Sequence, residues 1–114
     1  MAEDIRAHAR HIPISPQKVR LVVDLVRGKG VLEALDILRF TPNRAAGPVS
    51  KVLTSAMANA EENFGISRDD LYVYRIFADT APTRRWRRFG ARGRFKPILR
   101  RSSHITVVLR EREY

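Results

Sequence analysis

The chain has 114 residues, of which 44% are hydrophobic and none is cysteine, and it carries a net charge of +10. One domain's length with ordinary apolar content excludes wholesale disorder, and the missing cysteines exclude a disulfide framework and a thiolate metal site. No apolar run approaches the roughly 20 residues that a membrane-spanning helix needs, and "MAEDIRAHARHIPISP" lacks the apolar core of a secretory signal, so a cytoplasmic protein with no membrane partner is expected.

In chain order, "IRAHARHI" alternates Ile5, Ala7 and Ala9 against Arg6, His8 and Arg10, a modest strand pattern. "ISPQKVRLVVDLVRGKG" is punctuated as a helix. Ser15 suits the cap, Pro16 the first helical position and Gly28 the left-handed stop, while Val19, Val22, Val23 and Val26 form one apolar face. A shorter stripe of Val31, Leu32, Leu35 and Leu38 ends near Phe40. Thr41 and Pro42 repeat the start signal, and Gly65 closes a long helix whose buried face is Val49, Val52, Leu53, Ala56, Met57 and Ala60. Gly47-Pro48 lies inside that pattern, so the helix is either kinked there or begins later.

From Leu71 the period changes to two. "LYVYRIFAD" and "SSHITVVLRE" read as strands, the second with Ile105, Val107 and Leu109 on one face. The expected fold is therefore α+β, a single domain of residues 1–114 with three helices, set between a possible first strand and two later ones, covering one face of a sheet.

Charge is unevenly placed. Residues 1–12 are net neutral, residues 13–79 carry +1 and residues 80–114 carry +9. The stretch "TRRWRRFGARGRFKP", Thr83–Pro97, holds seven basic residues, three aromatics and no carboxylate. It lies between the two later strands, which invites a hairpin reading: a long basic arm over residues 80–100, protruding beyond the sheet, with Gly90 and Gly93 as turn formers. Pro82 and Pro97, which cannot donate to a ladder, suit its edges. An isolated ribbon is marginal in water, and like charges destabilise it further, so it needs a counter-surface. Phosphates supply one. Arginine outnumbers lysine eight to one between Arg84 and Arg101, and its planar fork pairs phosphate bidentately. Trp86, Phe89 and Phe95 add faces on which unstacked bases can rest.

The order of elements resembles the bacterial form of the large-ribosomal-subunit protein twenty-two family. "RAHARHIPISPQKVRLVVDLVRGKGVLEALDIL", "SKVLTSAMANAEENFG" and "GARGRFKPILRRSSHITVVLRE" carry the resemblance over most of the chain. It implies three helices packed on a small three-stranded antiparallel sheet with a long protruding β-hairpin, in a structural constituent of the large subunit that binds 23S rRNA in several domains, touches neighbouring large-subunit proteins and supports assembly. It also implies that the hairpin tip lines the nascent-peptide exit tunnel, so that the nascent peptide and macrolide antibiotics are partners near the tip. Carried over by position, the rRNA contacts are His8, Arg10, Lys18, Arg20, Arg84, Arg85, Arg87, Arg88, Arg92, Arg94, Lys96, Arg100, Arg101 and His104. The tip falls on Arg85, Trp86, Arg87, Arg88, Phe89 and Gly90, where many bacterial relatives carry Met or Lys with small apolar residues.

Rival classes have weaker signals. A general DNA- or RNA-binding or RNA-chaperone module could build a helix-turn-helix mimic around "GKG", but its second helix would carry Glu33 and Asp36 against Arg39 alone. No phosphate loop or GxGxxG motif is present. His8 and His11 are three apart, which in a strand points them to opposite faces, so no metal site is expected. Ser103 and His104 are adjacent without an orienting third residue, and Glu61-Glu62 and Asp69-Asp70 read as solvated pairs. No active site and no cofactor are expected.

Overall fold

The computed structural model describes residues 4–82, 84–89 and 95–112, and for 84–89 and 95–100 the backbone pairing alone. Strand β1 (Ile5–Ile12) leads into helices α1 (Pro16–Val26), α2 (Val31–Arg39) and α3 (Ala46–Phe64). Strand β2 (Leu71–Thr80), β3 (Arg84–Phe89), β4 (Phe95–Arg100) and β5 (Ser103–Glu111) complete the chain. Strands β1, β5 and β2 form one antiparallel sheet in that order, and β3 and β4 form a second sheet of two strands.

The helices cover one face of the three-stranded sheet. Val19, Val22, Val23 and Val26 of α1 join Val49, Val52, Leu53, Ala56 and Ala60 of α3 over Ile5, Ile76, Ile105, Val107 and Leu109. Helix α2 differs from expectation at one position. Leu32 is exposed, and Ala34 joins Val31 and Leu38 in the core, because a position one residue from Val31 lies 100° around the helix from it.

Helix ends follow local chemistry. Gly28 and Gly65 both take positive φ, at 79° and 63°, as the left-handed stop requires. Ser15 sits at the N-cap of α1 with extended backbone, yet its side chain makes no capping bond. Helix α3 takes the later of the two expected starts. Thr41 Oγ1 instead donates to Ile37 O at 2.6 Å, finishing α2, while Asn43 Oδ1 accepts from Ala45 N at 2.9 Å. Pro48 then falls in the first turn of α3, where a missing N–H leaves no helical bond unmade.

Both outer strands carry a one-residue bulge against the central β5. On β1 the register shifts between Ala9 and Ile12, where His11 adopts φ 55°. On β2 it shifts between Val73 and Arg75. Bulges bend and twist an edge, which discourages further strands from adding to it.

The edge of β2 is also occupied directly. Gly28 N donates to Val73 O, and Val73 N donates to Lys29 O at 2.8 Å. Arg20 donates through Nε and Nη2 to Ala78 O at 3.2 and 3.0 Å, and Arg27 Nη2 donates to Ile76 O at 2.9 Å. Helix α1 and its C-cap residue therefore grip carbonyls of β2 with Arg20 and Arg27, one heptad apart, and the exposed edge acquires partners.

The second sheet continues the β2–β5 pairing past a short irregular step. Thr80 is opposite Ser103, Ala81 N donates to Ser102 O at 3.0 Å, and pairing resumes with Arg84 opposite Arg100. Six pairs run from there to Phe89 opposite Phe95, on the order of 20 Å of ribbon. Pro97 stands within this ladder, opposite Arg87, in a ribbon where each strand is an edge. The radius of gyration is 17.3 Å, against about 13 Å for a compact chain of this length.

Candidate nucleic-acid interface

The expected contact residues fall into three places, apart from Arg10, which is exposed within the bulge of β1. Arg84, Arg85, Arg87 and Arg88 lie on β3, and Lys96 and Arg100 lie on β4. The register puts Arg84 and Arg85 at the end nearest the three-stranded sheet and Phe89 at the far end. Gly90, Arg92, Gly93 and Arg94 lie outside the described residues.

Lys18, Arg20 and Arg101 form the second group, at the root of the ribbon. Lys18 and Arg20 are exposed on the first turns of α1, and Arg101 is exposed between β4 and β5. Arg44, in the connection between α2 and α3, joins them, lining a hollow with Lys18 and Arg101. Sequence reading missed Arg44, since nothing local distinguishes it from other loop arginines.

The third group lies on the sheet face opposite the helices. His8 Nδ1 is within hydrogen-bond distance of Thr106 Oγ1, at 3.1 Å. His11 N donates to His104 Nδ1 at 3.1 Å, and the two rings meet edge to face at 4.8 Å between centroids. His8 and His11 thus reach the same face, against the expectation that their spacing would separate them. The bulge is the reason: one extra residue restores the parity that a three-residue step would break. Arg6, Arg75 and Phe77 share this face with Thr106 and Val108, which lie beside them in the ladder. The alternation of Arg75 and Phe77 with the buried Ile76 and Ala78 was the available signal for the last two.

Most of the acidic partners of arginine in the body lie away from the root of the ribbon. Asp24 pairs with Arg27 at 2.5 Å and Glu61 with Arg68 at 2.7 Å. Asp4 accepts from Arg110 at 2.5 Å and lies 3.9 Å from Arg6. The hydrogen bond from Arg110 holds the Asp4 carboxyl below its ordinary value of 3.8, and the bond to Asp4 raises Arg110 in turn. The Arg110 guanidinium also stands 3.5 Å from the centre of the Tyr74 ring, a close cation–π contact.

Among the described residues nothing has the geometry of a catalytic site. The Ser103 hydroxyl is buried and donates to Ile14 O at 2.9 Å, while the neighbouring His104 accepts from His11. The hydroxyl and imidazole are committed to different partners, so no nucleophile–base pair forms. Among the described residues no group of three His, Asp or Glu side chains is arranged to hold a metal ion, and no helix is long and apolar enough to cross a membrane.

Comparison with known proteins matches this arrangement to one family. The profile described as "Ribosomal protein L22p/L17e" matches residues 7–110. "Large ribosomal subunit protein uL22" of Thermoanaerobacter sp. strain X514 is 56% identical over 110 residues, covering 96% of this chain and 99% of the relative. The protein of the same name from Thermoanaerobacter pseudethanolicus matches with the same identity and coverage. The match spans most of β1, all three helices, β2, β3 and β4, and nearly all of β5, and the chain belongs to the ribosomal protein L22p/L17e family, whose members are structural constituents of the ribosome and not enzymes.

Proposed function

We propose that the chain serves in the large ribosomal subunit, in the cytoplasm, by binding 23S rRNA through the β3–β4 arm and the cationic surfaces of the body. The body, built on a buried apolar core, is the platform. The arm, within residues 80–100, reaches into folded rRNA and contacts more than one of its domains. Its far end lines the nascent-peptide tunnel and meets the growing peptide and macrolide antibiotics there, while the body touches neighbouring large-subunit proteins. Binding of this kind ties distant rRNA segments together and supports assembly of the subunit.

The observation that carries this reading is the arm itself. It is a two-stranded ribbon with no third strand, in a stretch with seven basic residues and no carboxylate. A two-stranded ribbon is marginal in water on its own, and the charge of this one opposes its folding. Multiple phosphates neutralise that charge and give the ribbon a surface to lie on, and counterion release makes the association favourable. The elongation of the molecule, 67 Å against 26 and 18 Å, supports an arm that stands away from the core.

Salt tests the proposal. With about 6–10 phosphate contacts, affinity for large-subunit rRNA is expected to fall roughly 10³–10⁵-fold between about 50 and 200 mM salt. A nearly flat profile, measured by filter binding on the purified protein, contradicts it.

A further inference from the structure

At the bulge of β1 one backbone donor depends on a side chain that can lose its acceptor. His11 N donates to His104 Nδ1 at 3.1 Å, and His11 has φ 55°, a left-handed conformation uncommon for a residue with a side chain. We propose that His104 is a proton-operated latch on this bulge: neutral, it holds His11 in place, and protonated, it lets the bulge go. The device is complete within the body of the free chain and needs no bound partner.

Hydrogen-bond chemistry is the first argument. A neutral imidazole has a lone pair on one nitrogen and a proton on the other, whereas an imidazolium has a proton on both. With Nδ1 accepting from His11, the neutral ring carries its proton on Nε2. A proton added at Nδ1 sets donor against donor, and the bond is lost. His11 has no partner in the β1–β5 register, which passes from Ala9 opposite Ile105 to Ile12 opposite Ser103, so the side chain of His104 stands in for the ladder there.

Charge is the second. The ionisable groups around His104 are His8, Arg10 and His11 on β1, Asp79 on β2 and Arg101 just before β5. The His11 ring meets the His104 ring edge to face at 4.8 Å between centroids, so a charge on one opposes a charge on the other. Asp79 is the one carboxylate of the set, and it lies directly opposite His104 in the β2–β5 register. Side chains paired in this way stand about 5 Å apart at Cβ and share a face of the sheet. The imidazolium therefore finds an acceptor on the β2 side as it loses its place on the β1 side, and the latch has two positions.

Position is the third. Ser103, next in the chain, is opposite Ile12 on one side and Thr80 on the other, and Ala81 N donates to Ser102 O just beyond. The latch thus lies one ladder position from the root of the arm. Its release loosens β1 between Ala9 and Ile12 and leaves the β2–β5 pairing and the apolar core, which use other residues, in place.

NMR of the labelled full-length protein tests the latch between about pH 5 and 8, the range in which histidine changes charge. Protonation of His104 is read from its ring nitrogens. Opening at His11 is read from exchange of its amide with solvent, corrected for the pH dependence of exchange itself. Opening is expected to rise on the order of tenfold along the His104 protonation curve, the change that loss of one ordinary hydrogen bond produces. An amide that stays equally protected while His104 takes up its proton overturns the proposal, and so does a neutral His104 with its proton on Nδ1. His104→Asn puts a non-titrating amide oxygen at the place of Nδ1 and is expected to abolish the response. A response that persists in that variant belongs to the ring of His8 or His11 and overturns the latch. If His104→Asn does not fold, His11→Gly decides, because glycine suits the left-handed backbone and keeps the amide without the ring. An amide at residue 11 that still follows His104 supports the latch, and one that no longer does overturns it.

Discussion

The two sheets of this chain have the same antiparallel pairing and different means of support. The three-stranded sheet has a helical layer on one face and bulges on both outer strands, and arginines from α1 occupy carbonyls on one edge. The two-stranded ribbon has a backbone ladder and a sequence dominated by arginine. A ladder alone is marginal in water, because each hydrogen bond it makes replaces one made to solvent. In the body the surplus comes from apolar burial; in the arm, on the proposed function, it comes from rRNA. On the proposed function, the contrast separates the part of the molecule that folds from the part that binds, although they are continuous through the β2–β5 pairing.

The largest expected effect breaks the body and not the arm. Leu53 is fully buried in the middle of α3, and Leu53→Ala should destabilise the chain by about 2–5 kcal/mol in urea unfolding. Deleting residues 84–94 should leave the unfolding midpoint and helical signal nearly unchanged. Loss of cooperative unfolding in that deletion would mean the arm supports the core.

An intermediate effect concerns the β2 edge. Arg27→Ala removes the donor to Ile76 O, and the loss should be about 1 kcal/mol, since the guanidinium is half exposed and water can replace it. Arg27→Lys should recover part of the loss. An unchanged stability in Arg27→Ala shows that the grip on β2 is incidental.

The smallest effect is acid sensitivity at Asp4. Its carboxyl titrates below the ordinary 3.8 in the folded chain, chiefly through the hydrogen bond from Arg110. A depressed folded value means that the unfolded chain binds the proton more readily, so the contribution is complete above about pH 4 and lost as pH falls through the folded value. The pair is exposed, so the effect is small. Asp4→Asn should lower stability slightly at neutral pH, remove nothing below the folded value of Asp4, and so flatten the acid limb of the stability profile. An acid limb identical to that of the unmodified chain removes Asp4 from the account.

Much of the body was legible because its signals are local. Pro16, Gly28 and Gly65 mark helix ends through their own backbone preferences, and the valines of α1 report their face through spacing alone. The bulges at His11 and beside Tyr74 were not legible, since one inserted residue leaves alternation intact on either side and has no compositional mark. That is why the faces of His8 and His11 were misassigned. The grip of Arg20 on Ala78 O and the meeting of Lys18, Arg44 and Arg101 depend on segments far apart in the chain. No local pattern encodes them. The arm stood out by composition, because a run of arginines without carboxylates between two strands repels itself unless a polyanion neutralises it.

The central claim is that this is a large-subunit protein held by rRNA through its cationic surfaces. Sedimentation of a tagged full-length chain in cell lysate tests it most directly. The account predicts that the protein travels with large ribosomal subunits through a gradient at low salt, and that combining Arg84→Ala, Arg85→Ala, Arg87→Ala and Arg88→Ala on β3 with Lys18→Ala and Arg101→Ala on the body moves it to the light fractions. A protein that stays in the light fractions unmodified, or travels with the small subunit, would contradict it.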